Sequence, residues 1–191
     1  MKNPKQKGGE WERVVAKLFS LWITFGKKTD CFWRSAMSGG RATVARTKGE
    51  EVRQSGDICA VAPEGHRFTN DLYIECKFLK ICSIDAALEG KGDLLKIWRE
   101  ACKKAKDCLR FPVLVIKRNH KKPLWITCAT VAKMLNAPCK GIIHQGNNVS
   151  TVTKNGTDLY IFILEDVLKS TPPKSWTGNG NNKTRAANTN R

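Results

Sequence analysis

The sequence predicts one α/β domain built around a mixed sheet, and three observations carry this. An amphipathic helical stripe opens the chain, the apolar period switches to two in its middle, and helical and strand segments then alternate. At 191 residues the chain is long enough for one domain with a full core. A hydrophobic content of 41% and a charged content of 27% exclude wholesale disorder.

Each element has its own signal. Trp11, Val14, Val15, Leu18, Phe19 and Trp22 recur at helical spacing and predict a helix from about Glu10 to Thr24, with Gly26 just past its end. The stretch from Ser35 to Ser55 has no apolar period, is rich in Gly, Ser, Thr and Arg, and reads as a long basic loop. Asp57 to Val61 is a short strand, closed by the turn residues Pro63, Glu64 and Gly65. Leu72 to Phe78 is a second strand, expected to pair with the first through the polar loop between them. Leu94, Leu95, Trp98, Ala101, Cys102 and Ala105 predict a helix from about Asp93 to Leu109. Phe111–Ile116, Leu124–Thr127 and Leu159–Leu164 read as strands, with a short helix at Thr130–Leu135. From Ser170 onward Asn, Gly and basic residues predominate and no acid occurs, which predicts a disordered basic tail over 170–191 behind a domain over 1–169.

Charge narrows the function. Thirty-four Lys and Arg against seventeen Asp and Glu give +17 at neutral pH, and such an excess implies a polyanionic partner, nucleic acid first. An anionic membrane surface is the weaker candidate, because no segment joins a basic face to a wide exposed apolar one. No apolar run is long enough to span a bilayer, and no secretory leader is visible, so the expected location is cytoplasmic, the host cytoplasm if the protein is viral. The eight cysteines show no C-x-x-C spacing and sit mostly in apolar runs, which reads as buried thiols in a reduced compartment rather than zinc ligands. No phosphate-loop motif occurs.

The strand at 72–78 carries the chemistry. Alternation puts Tyr73, Glu75 and Lys77 on one face and Leu72, Ile74, Cys76 and Phe78 on the other, core-seeking one. Asp57 opens the neighbouring strand. Two carboxylates and a lysine on adjacent strands suit a hard cation such as Mg²⁺, which takes oxygen ligands and substrate phosphate oxygens. The matching reaction is phosphodiester hydrolysis, with Lys77 orienting or deprotonating water or stabilising charge on the phosphate. On its own Glu-x-Lys is most often a solvated ion pair; a strand-borne Asp and an upstream helix carboxylate tilt the balance.

In order, the motifs are Lys7-Gly8-Gly9-Glu10-Trp11-Glu12-Arg13, Arg34-Ser35-Ala36-Met37-Ser38-Gly39, Ser55-Gly56-Asp57-Ile58 and Ile74-Glu75-Cys76-Lys77. This order resembles the PD-(D/E)XK nuclease superfamily, and within it the archaeal-type Holliday-junction resolvases and related phage nucleases, over about Lys7 to Thr127. The resemblance implies a restriction-endonuclease-like core and a Mg²⁺-dependent DNA endonuclease, with Mn²⁺ able to substitute. It implies Asp57 and Glu75 as metal ligands, the Cys76 backbone carbonyl as a further ligand, Lys77 as the catalytic lysine, and Glu12 as the helix carboxylate. Glu10 and Glu12 flank the apolar stripe at similar angles, so the helical wheel alone leaves both open. Ser38 matches a serine near the active site, and Arg34 is placed to hold a phosphate. The seventeen residues between Ser38 and Gly56 form a longer insertion than in short resolvases, with Arg41, Arg46 and Arg53 as further phosphate contacts. The implied substrate is branched DNA and the implied assembly a homodimer, since a junction needs two symmetric cuts. The alternatives are the same fold acting on nicked, flapped or duplex DNA, and a non-catalytic basic DNA-binding protein.

A basic run from Lys103, Lys104, Lys106 and Arg110 to Lys117, Arg118, Lys121 and Lys122, opposed only by Asp107, reads as a phosphate-tracking surface. Trp98 and Trp125 read as core, whereas Trp176 in the tail suits either packing or base stacking. His66 and His120 read as surface residues.

Overall fold

A computed structural model describes residues 3–35, 56–135, 149–152, 158–173 and 176. The chain opens with helix α1 (Pro4–Ile23), which starts a full turn and more before the apolar stripe. Asn3 caps it through a reciprocal pair with Gln6, and Pro4 supplies the preset backbone angle of a first helical residue. Trp11, Val15, Phe19, Trp22 and Ile23 are buried along its inner face, whereas Val14 is 48% exposed and lies off the stripe.

Strand β1 (Phe32–Arg34) follows and pairs antiparallel with β2 (Ile58–Ala60). The expected ladder between the strands at 57–61 and 72–78 is therefore replaced by a small separate ribbon. The segment read as a polar loop is helix α2 (Pro63–Asp71), with Pro63 at its start. Phe68 on its inner face packs edge-on to Phe19, Phe32 and Trp22. Gly65 makes the seating possible, since a Cβ there would stand 2.6 Å from the Phe32 ring.

The main sheet has five strands in the order β3 (Leu72–Leu79), β4 (Phe111–Arg118), β5 (Leu124–Thr127), β7 (Asp158–Ile163) and β6 (Val149–Val152). β3 and β4 run parallel, and the other pairs are antiparallel, so the sheet is mixed as the sequence predicts. The parallel crossover is made by the short helix α3 (Ile84–Leu88) and by α4 (Asp93–Asp107). Helices α5 (Ala129–Leu135) and α6 (Leu164–Ser170) complete the described elements, α6 beginning at the residue expected to end the last strand.

Alternation along the strands builds a core on each face of the sheet. Leu72, Ile74, Cys76, Val113, Val115, Trp125 and Phe162 pack under α1 and α2. Leu114, Ile116, Leu124, Ile126, Leu159 and Ile161 pack under Leu94, Leu95 and Trp98 of α4. Helices thus flank a mixed sheet on both faces, a restriction-endonuclease-like α/β core. The chain stays packed beyond Ser170. The Trp22 indole donates to the Thr171 carbonyl at 2.8 Å, and Trp176 is buried against Trp22 and Phe68. Trp176 is accordingly a core residue, as are Trp98 and Trp125; residues 177–191 lie outside the described residues. The described cysteines form no disulfide, and among the described residues no helix is long and apolar enough to cross a membrane.

Candidate active site

Strand β3 sits at the edge of the main sheet, with β4 on one side and a short backbone contact from the β2 entry on the other. The N–H of Asp57 donates to the Ile74 carbonyl at 2.7 Å, and the Asp57 carbonyl accepts the Ser35 N–H at 2.8 Å. The approach is close because residue 56 is glycine. Gly56 has φ +89°, and a Cβ on it would stand 2.7 Å from the Ile74 oxygen. Asp57 Oδ2 then accepts the Cys76 N–H at 2.7 Å. In an extended strand the N–H and C=O of one residue point the same way, so the Cys76 carbonyl lies on this edge beside Asp57.

Glu75 points to the opposite face, towards α4, and is 5% exposed. Its two oxygens are both engaged. Oε2 accepts the Tyr73 hydroxyl at 2.9 Å; Oε1 accepts Lys77 Nζ at 2.7 Å and Lys104 Nζ at 3.4 Å. The face predicted from alternation is thus present, but it is covered by α4 rather than open to solvent. Lys104, read from the sequence as part of a general phosphate-tracking surface, reaches the centre itself.

The electrostatics follow from this packing. Burial, then the negative charge of Glu75, pushes the Asp57 carboxyl up to about 7, against the opposing Cys76 N–H; Glu12 adds to the rise. Burial alone would raise Glu75 too, but Lys77 and Lys104 outweigh it and hold the carboxyl below the ordinary glutamate range. Burial likewise works against the Lys77 ammonium, and Glu75 more than compensates, leaving its pKa raised. Burial and Glu75 together push the Tyr73 phenol far up.

Glu12 lies on α1, where its Oε2 accepts Arg34 Nε at 2.8 Å, and its charge is felt at Asp57. Arg34 also packs over Gly9, and with Lys5 and Arg13 it lines a cavity of about 390 Å³ beside the first turns of α1. Lys117 and Arg118 stand at the far end of β4, opposite Phe78 and Leu79, away from the Glu75 level. Lys103 is exposed on α4. Ser38, Arg41, Arg46 and Arg53 lie outside the described residues.

Among the described residues, no three His, Cys, Asp or Glu side chains are already arranged to hold a metal ion. The donor chemistry nevertheless fits a hard divalent cation. Asp57, Glu75 and the Cys76 carbonyl offer oxygen only, and a cation held there would relieve the repulsion that Glu75 and Glu12 exert on the Asp57 carboxylate. Lys77 and Lys104 occupy the Glu75 oxygen that such an ion would take.

Comparison with known families agrees with this geometry. The family model described as "Phage putative PDDEXK endonuclease" matches residues 3–177. No curated protein and no solved structure matches the chain. A match over nearly the whole chain, a mixed sheet with helices on both faces, and an Asp bonded to the edge strand that carries a Glu and a Lys lead to one conclusion: the chain belongs to the phage PDDEXK endonuclease family.

Proposed function

We propose that the protein is a divalent-metal-dependent DNA endonuclease that hydrolyses phosphodiester bonds at Asp57, Glu75 and Lys77, with branched DNA as its preferred substrate. The observation that carries this is the attachment of Asp57 to β3 at Ile74 and Cys76, which brings a second carboxylate to the strand bearing Glu75 and Lys77. A DNA-binding protein without catalysis has no use for buried carboxylates where phosphates dock, since they repel the ligand.

Asp57, Glu75 and the Cys76 carbonyl would hold the cation, Mg²⁺ or in its place Mn²⁺. When bound, such an ion neutralises charge on the phosphate and acidifies a water ligand. The chain's own residues do the rest. Lys77 donates hydrogen bonds on the solvent side of Glu75, where it orients water and offsets charge developing on a phosphate oxygen. Tyr73 fixes the Glu75 carboxylate from behind. Arg34 neutralises Glu12 and stands on the approach taken by a DNA backbone. The +17 charge supplies affinity without base readout. The choice of a branched substrate, and of a homodimer making paired cuts, follows the likeness of the motif order to junction resolvases.

The test is cleavage of labelled four-way junction, flap and linear duplex in Mg²⁺, Mn²⁺ or EDTA, with Glu75→Gln as control. Symmetric cuts near the branch point that need both the cation and Glu75 establish the reading. Equal cutting of every substrate keeps the nuclease and removes the branch preference. Salt-sensitive binding with no cleavage in any divalent cation overturns it.

A further inference from the structure

Glu75 is unusual in having two lysines on the same oxygen, from different elements. Lys77 comes from its own strand, and Lys104 comes from the last turn of α4, twenty-nine residues away. Glu75 is 6% exposed in its side chain, whereas Lys77 and Lys104 are 37% and 47% exposed. The two ammonium groups therefore form the layer between the buried carboxylate and solvent. Anything anionic that approaches Glu75 meets them first.

We infer that Lys104 is a second lysine of the active centre: it neutralises Glu75 in the resting protein and becomes a ligand of the substrate phosphodiester when a divalent cation takes over Glu75. The inference rests on the nuclease reading above and adds a residue to it. The physical reason is competition for one atom. Were Glu75 to hold a cation, Lys104 would lose the attraction that keeps it on this carboxylate and would be repelled by like charge. The displaced ammonium stays tethered to α4, whose neighbouring Ala101 and Ala105 are buried against the sheet, so it cannot move far. A phosphate oxygen beside the cation then offers the displaced ammonium a negative partner on the substrate side, in competition with Glu100 and Asp107 one turn away on its own helix. Lys77 is shorter-tethered, at 2.7 Å against 3.4 Å, which makes Lys104 the more readily displaced of the two. A lysine merely tracking the DNA backbone, as Lys103 one residue earlier is placed to do, has no link to metal affinity.

The experiment uses the full chain, with Lys104→Gln, Lys104→Arg and Lys96→Gln beside the unaltered protein. Mn²⁺ affinity is measured by calorimetry without DNA, and cleavage is followed under single-turnover conditions with DNA affinity measured separately. Lys104→Gln is expected to bind Mn²⁺ about five-fold more tightly, because one competing charge is gone. It is also expected to cleave about 100-fold more slowly at saturating DNA, as for loss of one donor to the developing charge. Lys104→Arg should regain most of the rate, and Lys96→Gln, an exposed lysine of the same helix paired with Asp93, should change neither quantity. Unchanged Mn²⁺ affinity in Lys104→Gln, or a loss confined to DNA affinity with the saturated rate intact, overturns the inference. Tighter Mn²⁺ binding in a protein that cleaves no DNA overturns the nuclease reading and the phosphate role, while the competition at Glu75 stands.

Discussion

Asp57 Oδ2 accepts the backbone N–H of Cys76 at 2.7 Å, so a carboxylate carried by one small ribbon is anchored to the edge of another sheet. This bond fixes where Asp57 stands relative to Glu75, the residue immediately before Cys76. The bond favours the charged carboxylate, but burial and the neighbouring Glu75 charge cost that form more than the bond returns.

That cost predicts a pH dependence. The Asp57 carboxyl rises from 3.8 to about 7 on folding, so between these values the folded chain keeps a proton that the unfolded chain has lost. The contribution of Asp57 to the stability of the metal-free protein then falls as pH rises from about 4 to about 7. Asp57→Asn keeps an acceptor for the Cys76 N–H and removes the titration. Its melting temperature in EDTA should vary less with pH over this range and exceed that of the unaltered protein at neutral pH. A parallel pH profile for the two proteins would contradict the burial argument.

Gly56→Ala should be costly in both stability and activity. The left-handed backbone at φ +89° and the 2.7 Å approach to the Ile74 oxygen leave no room for a methyl group. A loss of about 2 kcal/mol or more is expected, from strain and from displaced backbone contacts. Because Asp57 is the next residue, cleavage should drop even at temperatures where circular dichroism shows a folded chain.

Trp176→Ala should destabilise the protein by about 3 kcal/mol, as for a large aromatic removed from a core. Ending the chain at Ser170 should cost at least as much, since the acceptor for the Trp22 indole at Thr171 goes with it. In both variants chemical denaturation should shift while the saturated cleavage rate of the folded fraction is preserved, because the aromatic cluster lies on the face of the sheet opposite Glu75.

Arg34→Gln separates stability from binding. Its ion pair with Glu12 is partly solvated, so unfolding free energy should change by less than about 1 kcal/mol. DNA affinity should fall, and the slope of log affinity against log salt should shrink by about one. An unchanged slope would remove Arg34 from the phosphate contacts.

Strand β3 is the most legible part of the chain. Leu72, Ile74 and Cys76 alternate so strictly with Tyr73, Glu75 and Lys77 that one face had to be core and the other polar, and the core under α1 and α2 takes Leu72, Ile74 and Cys76. Helix α2 was hidden because Pro63-Glu64-Gly65 reads equally as a turn; the distinguishing signal, a proline at a first helical position, acquires meaning only with Phe68 behind it. The pairing of β2 with β1 was hidden for another reason. β1 is three residues long, and nothing local distinguishes Phe32-Trp33-Arg34 from loop. Trp176 illustrates the limit of composition. Its neighbours are those of a tail, but one tryptophan facing Trp22 and Phe68 is enough to dock the segment. Lys104 reaches Glu75 only because of where α4 lies across β3, a tertiary fact with no periodicity to announce it.

The division of the carboxylates between two sheets has a thermal consequence. Glu75 belongs to a ladder continuous with β4, whereas Asp57 is joined to β3 by one main-chain bond and one side-chain bond. Local opening of the ribbon costs less than melting the main sheet, so the amide of Cys76 should exchange with deuterium sooner than the central amides of β4. Warming then switches the catalyst off while most of the molecule is intact: inactivation precedes denaturation, and cooling restores it.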